Sequence, residues 1–216
     1  MSVEIALSAA RVRYGPLEAL HGLDLPLPTG AVTVLLGRNG SGRTTALRAL
    51  AGTVRLASGR VLWRGADVTR LHAHDRARRG LCFVPDLRAV YATLTVAENL
   101  DLVTGDRAKA LDAYPELAPL LARPAGTLSG GERRMLALSR AVASPARVVL
   151  VDEPALGMSP DVSSRTYRLL AALAEEGGAA LVLAEQRLPP GLPPGTLVHE
   201  LRRGSLAFSG EAAELR

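Results

Sequence analysis

The sequence predicts an α/β domain built on a largely parallel sheet. Three observations carry this. Short apolar runs of strand length alternate with longer helical runs along the 216 residues. A glycine-rich segment, GRNGSGRTT at 37–45, stands between one apolar run and one helical run. A second apolar run, VVLV at 148–151, ends in Asp152 and Glu153, and α/β sheets bind their ligands at the carboxyl ends of strands.

In chain order, the apolar pattern predicts strands at 3–9, 31–36, 59–64, 81–84, 147–152, 180–184, 197–201 and 205–208. Helices are predicted at 43–51, 73–79, 95–103, 107–121, 130–143, 161–176 and 211–215. Between Asp86 and Leu128 no strand pattern stands out, so that stretch reads as a helical insert. LPPGLPPG at 188–195 reads as a linker, because proline removes a backbone donor and blocks helix continuation. There is no internal repeat and no sign of a second domain.

Composition narrows the class. A single cysteine, Cys82, cannot form an internal disulfide, which fits a reducing compartment. The first residues, MSVEIALSAARVRY, lack a charged leader and carry Glu4 within the apolar run, so no signal peptide is expected. No apolar run approaches the ~20 residues of a membrane span. The net charge is +5 and Lys109 is the only lysine, so the other 25 basic residues are arginines. Those arginines are scattered among acids and aromatics are only 3%. The pattern is that of a solvated surface rather than a nucleic-acid stripe.

Three motifs carry chemistry. Residues 37–45 have the spacing G-x-x-x-x-G-K-[ST] of a phosphate-binding loop, with Arg43 at the lysine position. Gly37, Gly40 and Gly42 let the backbone close on phosphates, with Arg38, Asn39, Ser41 and Thr45 completing the loop at a helix N-terminus. The Thr44 hydroxyl is placed to hold Mg²⁺. Asp152, at the end of its strand, is placed to hold Mg²⁺ through water, and Glu153 is a candidate general base on an attacking water. Alone, a strand ending in Asp-Glu is commonplace; about 110 residues after a phosphate loop it reads as a metal site. The third motif is LSGGE at 128–132. Ser129 caps a helix, while Gly130 and Gly131 leave backbone N–H groups bare ahead of Glu132.

In this order the three motifs resemble the ATP-binding cassette (ABC) proteins, in which LSGGE is the signature. The resemblance covers about residues 3–210. It implies one ABC cassette over 1–216, with a mostly parallel core, an antiparallel β part and a short helical subdomain at about 87–143. It also implies ATP and Mg²⁺ as ligands and ATP hydrolysis as activity. Tyr14 in VRYG matches the family's adenine-stacking aromatic. RARRGLCFVPDLRAVYATLTVAENL (76–100), AGTLSGGERRMLALSRAV (125–142) and VDEPALGMSP (151–160) look most like the ATPase subunits of branched-chain amino acid importers. In that branch the residue after VP is commonly acidic, as Asp86 is. The switch histidine is often glutamine in one of the two subunits, as Gln186 is. The implied partners are a second ATPase subunit in a head-to-tail dimer, expected to be a heterodimer, transmembrane permease subunits docked on the helical insert, and indirectly a solute-binding protein. The implied place is the cytoplasmic face of the membrane, with no nucleic acid involved.

Three departures qualify the resemblance. Arg43 replaces a compact ammonium with a planar guanidinium, which keeps charge but not geometry. Affinity for nucleotide should therefore suffer less than turnover. The helical insert is short. RLPPGLPPG stands where the family has a helix. These features keep alternatives open at this point: a nucleotide-binding subunit without turnover in a heterodimer, a subunit for urea or amide import or for export, and an ABC ATPase outside transport.

Overall fold

The computed structural model describes residues 2–86, 89–102 and 106–215. Two sheets form. The first is antiparallel, with order β2-β1-β4-β5. Its strands are β1 (Val3–Tyr14), β2 (Leu17–Pro28), β4 (Ser58–Trp63) and the short β5 (Ala66–Asp67). The second has order β10-β9-β3-β8-β7-β6. It contains β3 (Val32–Leu36), β6 (Leu81–Val84), β7 (Val148–Asp152), β8 (Ala180–Glu185), β9 (Leu197–Arg202) and β10 (Ser205–Glu211). All its pairings are parallel except β9 with β10.

The central strands are apolar on both faces because both faces are covered. Val148 and Leu150 of β7, with Val182 and Ala184 of β8, pack on α1 (Arg43–Ala51) and the antiparallel sheet. Val149, Val151, Leu181 and Leu183 face the opposite way. They pack with α5 (Gly130–Ala143), α6 (Pro160–Glu175) and the helical insert. A period of two thus splits each strand between two cores. The insert holds α3 (Val96–Asp101) and α4 (Arg107–Ala113), and α2 (Ala73–Arg78) precedes β6.

Several expected elements are corrected. The helix expected at 107–121 ends at Ala113, because Pro115 disfavours helical backbone at Tyr114 (φ −136°). A 3-10 turn, Pro115–Leu120, follows. The helix expected at 211–215 is the end of β10 and a 3-10 turn, Ala212–Glu214. No strand was expected at 17–28, yet β2 forms there. Its leucines favour helix by propensity, but Leu23, Leu25 and Leu27 alternate inward. Pro26 is tolerated because β2 is an edge strand. Residues 187–196 form an irregular connection, as the proline-rich stretch predicted. Residue 103 of the helix expected at 95–103, and residues 87–88 and 103–105 of the expected insert, lie outside the described residues.

Candidate active site

The glycine-rich segment leaves β3 at Leu36, and Gly37 N–H donates to Glu185 O at the end of β8 (3.1 Å). Ser41 N–H closes back on Arg38 O at 3.0 Å. Gly42 is the N-cap of α1, with φ 107°. A Cβ there would lie 3.0 Å from Leu20 Cδ2 and 3.2 Å from Ala19 O, so both backbone and space require glycine. The first turn of α1 holds no acidic side chain, and no side chain caps it. Its free N–H groups and the positive end of the helix dipole therefore face the loop unneutralised.

β7 brings the acids to the same place. Asp152, at its carboxyl end, is 1% exposed and accepts a hydrogen bond from the Thr44 side chain. Burial raises its pKa above the usual carboxylate range; the Thr44 bond and Arg43 oppose the rise, and Asp86 and Glu153 add to it. Glu153 follows at φ 50°, a left-handed backbone that side chains rarely adopt. Such strain costs on the order of 1–3 kcal/mol and collects at functional sites. Its N–H is held by Ala184 O at 2.9 Å. Its Oε1 accepts from Gln186 Nε2 at 3.0 Å and from Arg43 Nη2 at 3.3 Å.

Arg43 is 5% exposed. Its Nη2 also lies 3.4 Å from Asn39 Oδ1, while Nη1 is buried without a partner. Ser41 Oγ and Asp152 Oδ2 are likewise buried without partners. Unpaired buried polar atoms cost about 1–3 kcal/mol each, so three around one loop are out of place in a purely structural turn. Two are donors for an anion and one is an acceptor for a cation. The set fits a phosphate chain with a divalent metal, which Thr44 and Asp152 would hold.

A cleft of about 880 Å³ opens over these groups. Tyr14, Asn39 to Thr45, Asp86, Glu153 and Gln186 line it, so the structure gathers these motif residues at one place. Gly37 lies beneath the loop and is buried, and Arg38 lies on its outer side, beside a neighbouring hollow of about 650 Å³. The lining also includes Leu17, Glu18, His21 and Arg203, which no motif signalled. They arrive through β2 and the β9–β10 turn, both tertiary neighbours.

The signature does not line this cleft. Ser129 caps α5: its side chain accepts from Glu132 N–H at 3.2 Å, and Glu132 Oε2 accepts from Ser129 N–H at 2.7 Å. This capping box satisfies two otherwise unpaired N–H groups. Ser129 and Gly130 are exposed, and Gly130 borders a separate hollow with Leu156 and Gly157. Glu132 is drawn back onto the cap and Gly131 is half-buried.

Arg134, two residues further on, ties the segments together. It is buried, and it donates to Pro85 O (2.5 Å), Pro154 O (3.3 Å) and Asp152 O. Burial lowers its pKa, and the nearby acids, Asp152 first and then Asp86, oppose that. The residue before Asp86 and the residues on either side of Glu153 are thus fixed to one guanidinium.

Phosphate loop, acid-ended strand and signature match the family model described as "ABC transporter" over residues 20–156. The chain belongs to the ABC transporter family. It is 35% identical over 211 residues to the probable branched-chain amino acid transport ATP-binding protein LivF of Archaeoglobus fulgidus, covering 94% of this chain and 89% of that one. It is 32% identical to the high-affinity branched-chain amino acid transport ATP-binding protein BraG of Pseudomonas aeruginosa, covering 94% and 90%. A nucleotide-free ATP-binding cassette from an ABC transporter superposes with TM-score 0.82 at 21% identity, over 98% of this chain and 92% of that one. A dimeric bacterial ABC transporter cassette gives 0.82 at 21%, over 96% and 98%. The ABC fold is therefore shared with these structures. No helix among the described residues is long and apolar enough to cross a membrane.

Proposed function

We propose that this ABC chain is the ATP-hydrolysing subunit of a membrane importer for branched-chain or other small amino acids. One observation carries the chemistry. Glu153 stands at the carboxyl end of β7 with Oε1 fixed by Gln186 and Arg43, beside the phosphate loop. In this reading the loop N–H groups and the α1 N-terminus bind the β- and γ-phosphates, and Tyr14, 42% exposed at the cleft rim, stacks on the adenine. Thr44 and Asp152 hold Mg²⁺, and Asp86 lies beside them. When bound, the metal neutralises charge on the phosphate oxygens. Oε2 of Glu153 accepts the proton of an attacking water, and Gln186 keeps the carboxylate turned toward it.

The signature residues, Ser129 to Glu132, serve a second cassette. They lie away from the chain's own cleft and end a helix whose exposed N-terminus suits a phosphate. The partner ATPase is a different chain, the permease docks on the helical insert, a solute-binding protein delivers the substrate, and the complex sits at the cytoplasmic face. The importer assignment is supported by the similarity to LivF and BraG.

One observation favours a second reading, in which the chain binds nucleotide without turning it over. The Arg43 guanidinium is engaged by Glu153, the very group that turnover needs. Reconstitution with permease and partner decides. ATP-driven uptake of leucine that falls strongly with Glu153→Gln supports the first reading. Uptake indifferent to Glu153→Gln supports the second, and no uptake of any small amino acid contradicts the importer assignment.

A further inference from the structure

The β9–β10 turn reaches the cleft from a part of the sequence that no motif touches. Arg203 and Gly204 are its two central residues, with φ 49° and 77°, and Arg202 pairs with Ser205 across it. Positive φ at both centres is the signature of a type I′ turn, where Asn, Asp and Gly are preferred. An arginine at the first centre is sterically disfavoured, so local turn chemistry does not account for it.

The turn is fastened on both sides. Gly204 N–H donates to Ser41 O of the phosphate loop at 2.8 Å, and Gly204 O accepts from His21 N–H of β2 at 3.0 Å. A Cβ on Gly204 would stand 2.4 Å from Ala19 O, so the turn packs against the cleft wall too closely for any side chain there. Arg203 is thereby held one residue from a backbone bond to the loop. Its side chain is exposed, lines the cleft, and makes no hydrogen bond or ion pair with any described residue. The adjacent Arg202 has the opposite character: it is paired with Glu200 at 2.9 and 3.1 Å.

The charge of the cleft gives Arg203 its role. Of the two arginines in the lining, Arg43 is partly neutralised by Glu153, while Arg203 has no ion-pair partner among the described residues. A polyphosphate entering there needs a cation that is not already spent. We infer that Arg203 is a second arginine of the nucleotide site, binding the phosphate chain from the β9–β10 turn and supplementing Arg43. This rests on the nucleotide reading above.

Isothermal titration of the full chain tests it, with ATP, tripolyphosphate and adenosine as ligands at low and high salt. Arg203→Asn keeps a residue that tolerates the turn, and Arg203→Gly relaxes it further. Both should weaken ATP and tripolyphosphate by about tenfold, the scale of one charge-assisted hydrogen bond, and flatten the salt dependence. Adenosine should be unaffected, Arg203→Lys should recover most of the loss, and Arg202→Asn should bind as the unaltered chain does. Unchanged ATP affinity in both Arg203→Asn and Arg203→Gly overturns the inference alone. An equal loss for adenosine also overturns it, since the contact would then not be to phosphate. Failure of the unaltered chain to bind ATP overturns the nucleotide reading and this inference together.

Discussion

Replacing Arg134 with methionine should unfold the chain at a much lower temperature. The guanidinium is 5% exposed and donates to three backbone carbonyls, those of Pro85, Asp152 and Pro154. A hydrogen bond from a charged group contributes about 1.5–3 kcal/mol, and a buried carbonyl left unpaired costs about 1–3 kcal/mol. Set against these is the desolvation of the cation, several kcal/mol, which methionine removes. Burial does push the Arg134 pKa down, so this opposing cost is real. Methionine fills much of the same volume, which keeps cavity effects small. The net loss is therefore about 3–5 kcal/mol, the scale seen when one partner of a buried charged contact is removed. For a chain of this size that corresponds to a fall in Tm of roughly 6–20 °C. Arg134→Lys should recover only part of it, since an ammonium cannot span three carbonyls in a planar fork. Thermal unfolding by calorimetry or circular dichroism is the assay. A Tm within 2 °C of the unaltered chain, about the effect of 1 kcal/mol or less, would refute the assignment of Arg134 as the tie between these segments.

Arg43→Lys should raise ATP turnover of the assembled transporter severalfold, because a compact ammonium reaches phosphate oxygens that a guanidinium shared with Glu153 reaches poorly. A lost contact of the oxyanion type costs about 2.7–4 kcal/mol, and retained charge makes the arginine penalty smaller; no change, with Glu153→Gln strongly impaired, would show that arginine is a working substitute. Ser129→Arg should leave nucleotide binding by the isolated chain intact, because Ser129 does not line its cleft, yet stop turnover in the complex; intact turnover would contradict a role for the signature in the partner's site. Thr95→Ala removes the 3.1 Å bond from Glu98 N–H that caps α3 and should cost about 1 kcal/mol, read as a fall in Tm of roughly 2–4 °C.

What the sequence disclosed follows its physics. The phosphate loop was legible because strand, glycines and helix are contiguous, so local geometry determines where the N–H groups point. Asp152 and Glu153 were legible because four apolar residues before them define a buried strand end. β2 was not, since its leucines favour helix and only pairing with β1 selects the alternation of Leu23, Leu25 and Leu27. The break after Ala113 was written in Pro115 but masked by the apolar periodicity around it. Arg134 and Arg203 could not be found by motif. Their roles come from carbonyls and loop atoms far away in sequence, which only the packed fold brings within reach. The pairing of Arg43 with Glu153, 110 residues apart, is of the same kind.

The central claim is that the cleft over residues 37–45 is a nucleotide site completed by Mg²⁺. It is tested most directly by titrating the full chain with a fluorescent ATP analogue, with and without Mg²⁺, beside Gly42→Asp. That variant places a carboxylate at the α1 N-terminus, where even a Cβ would sit 3.0 Å from Leu20 Cδ2. The account predicts saturable binding that tightens with Mg²⁺ and is abolished in Gly42→Asp. No binding at millimolar nucleotide, or equal binding by Gly42→Asp, would contradict it.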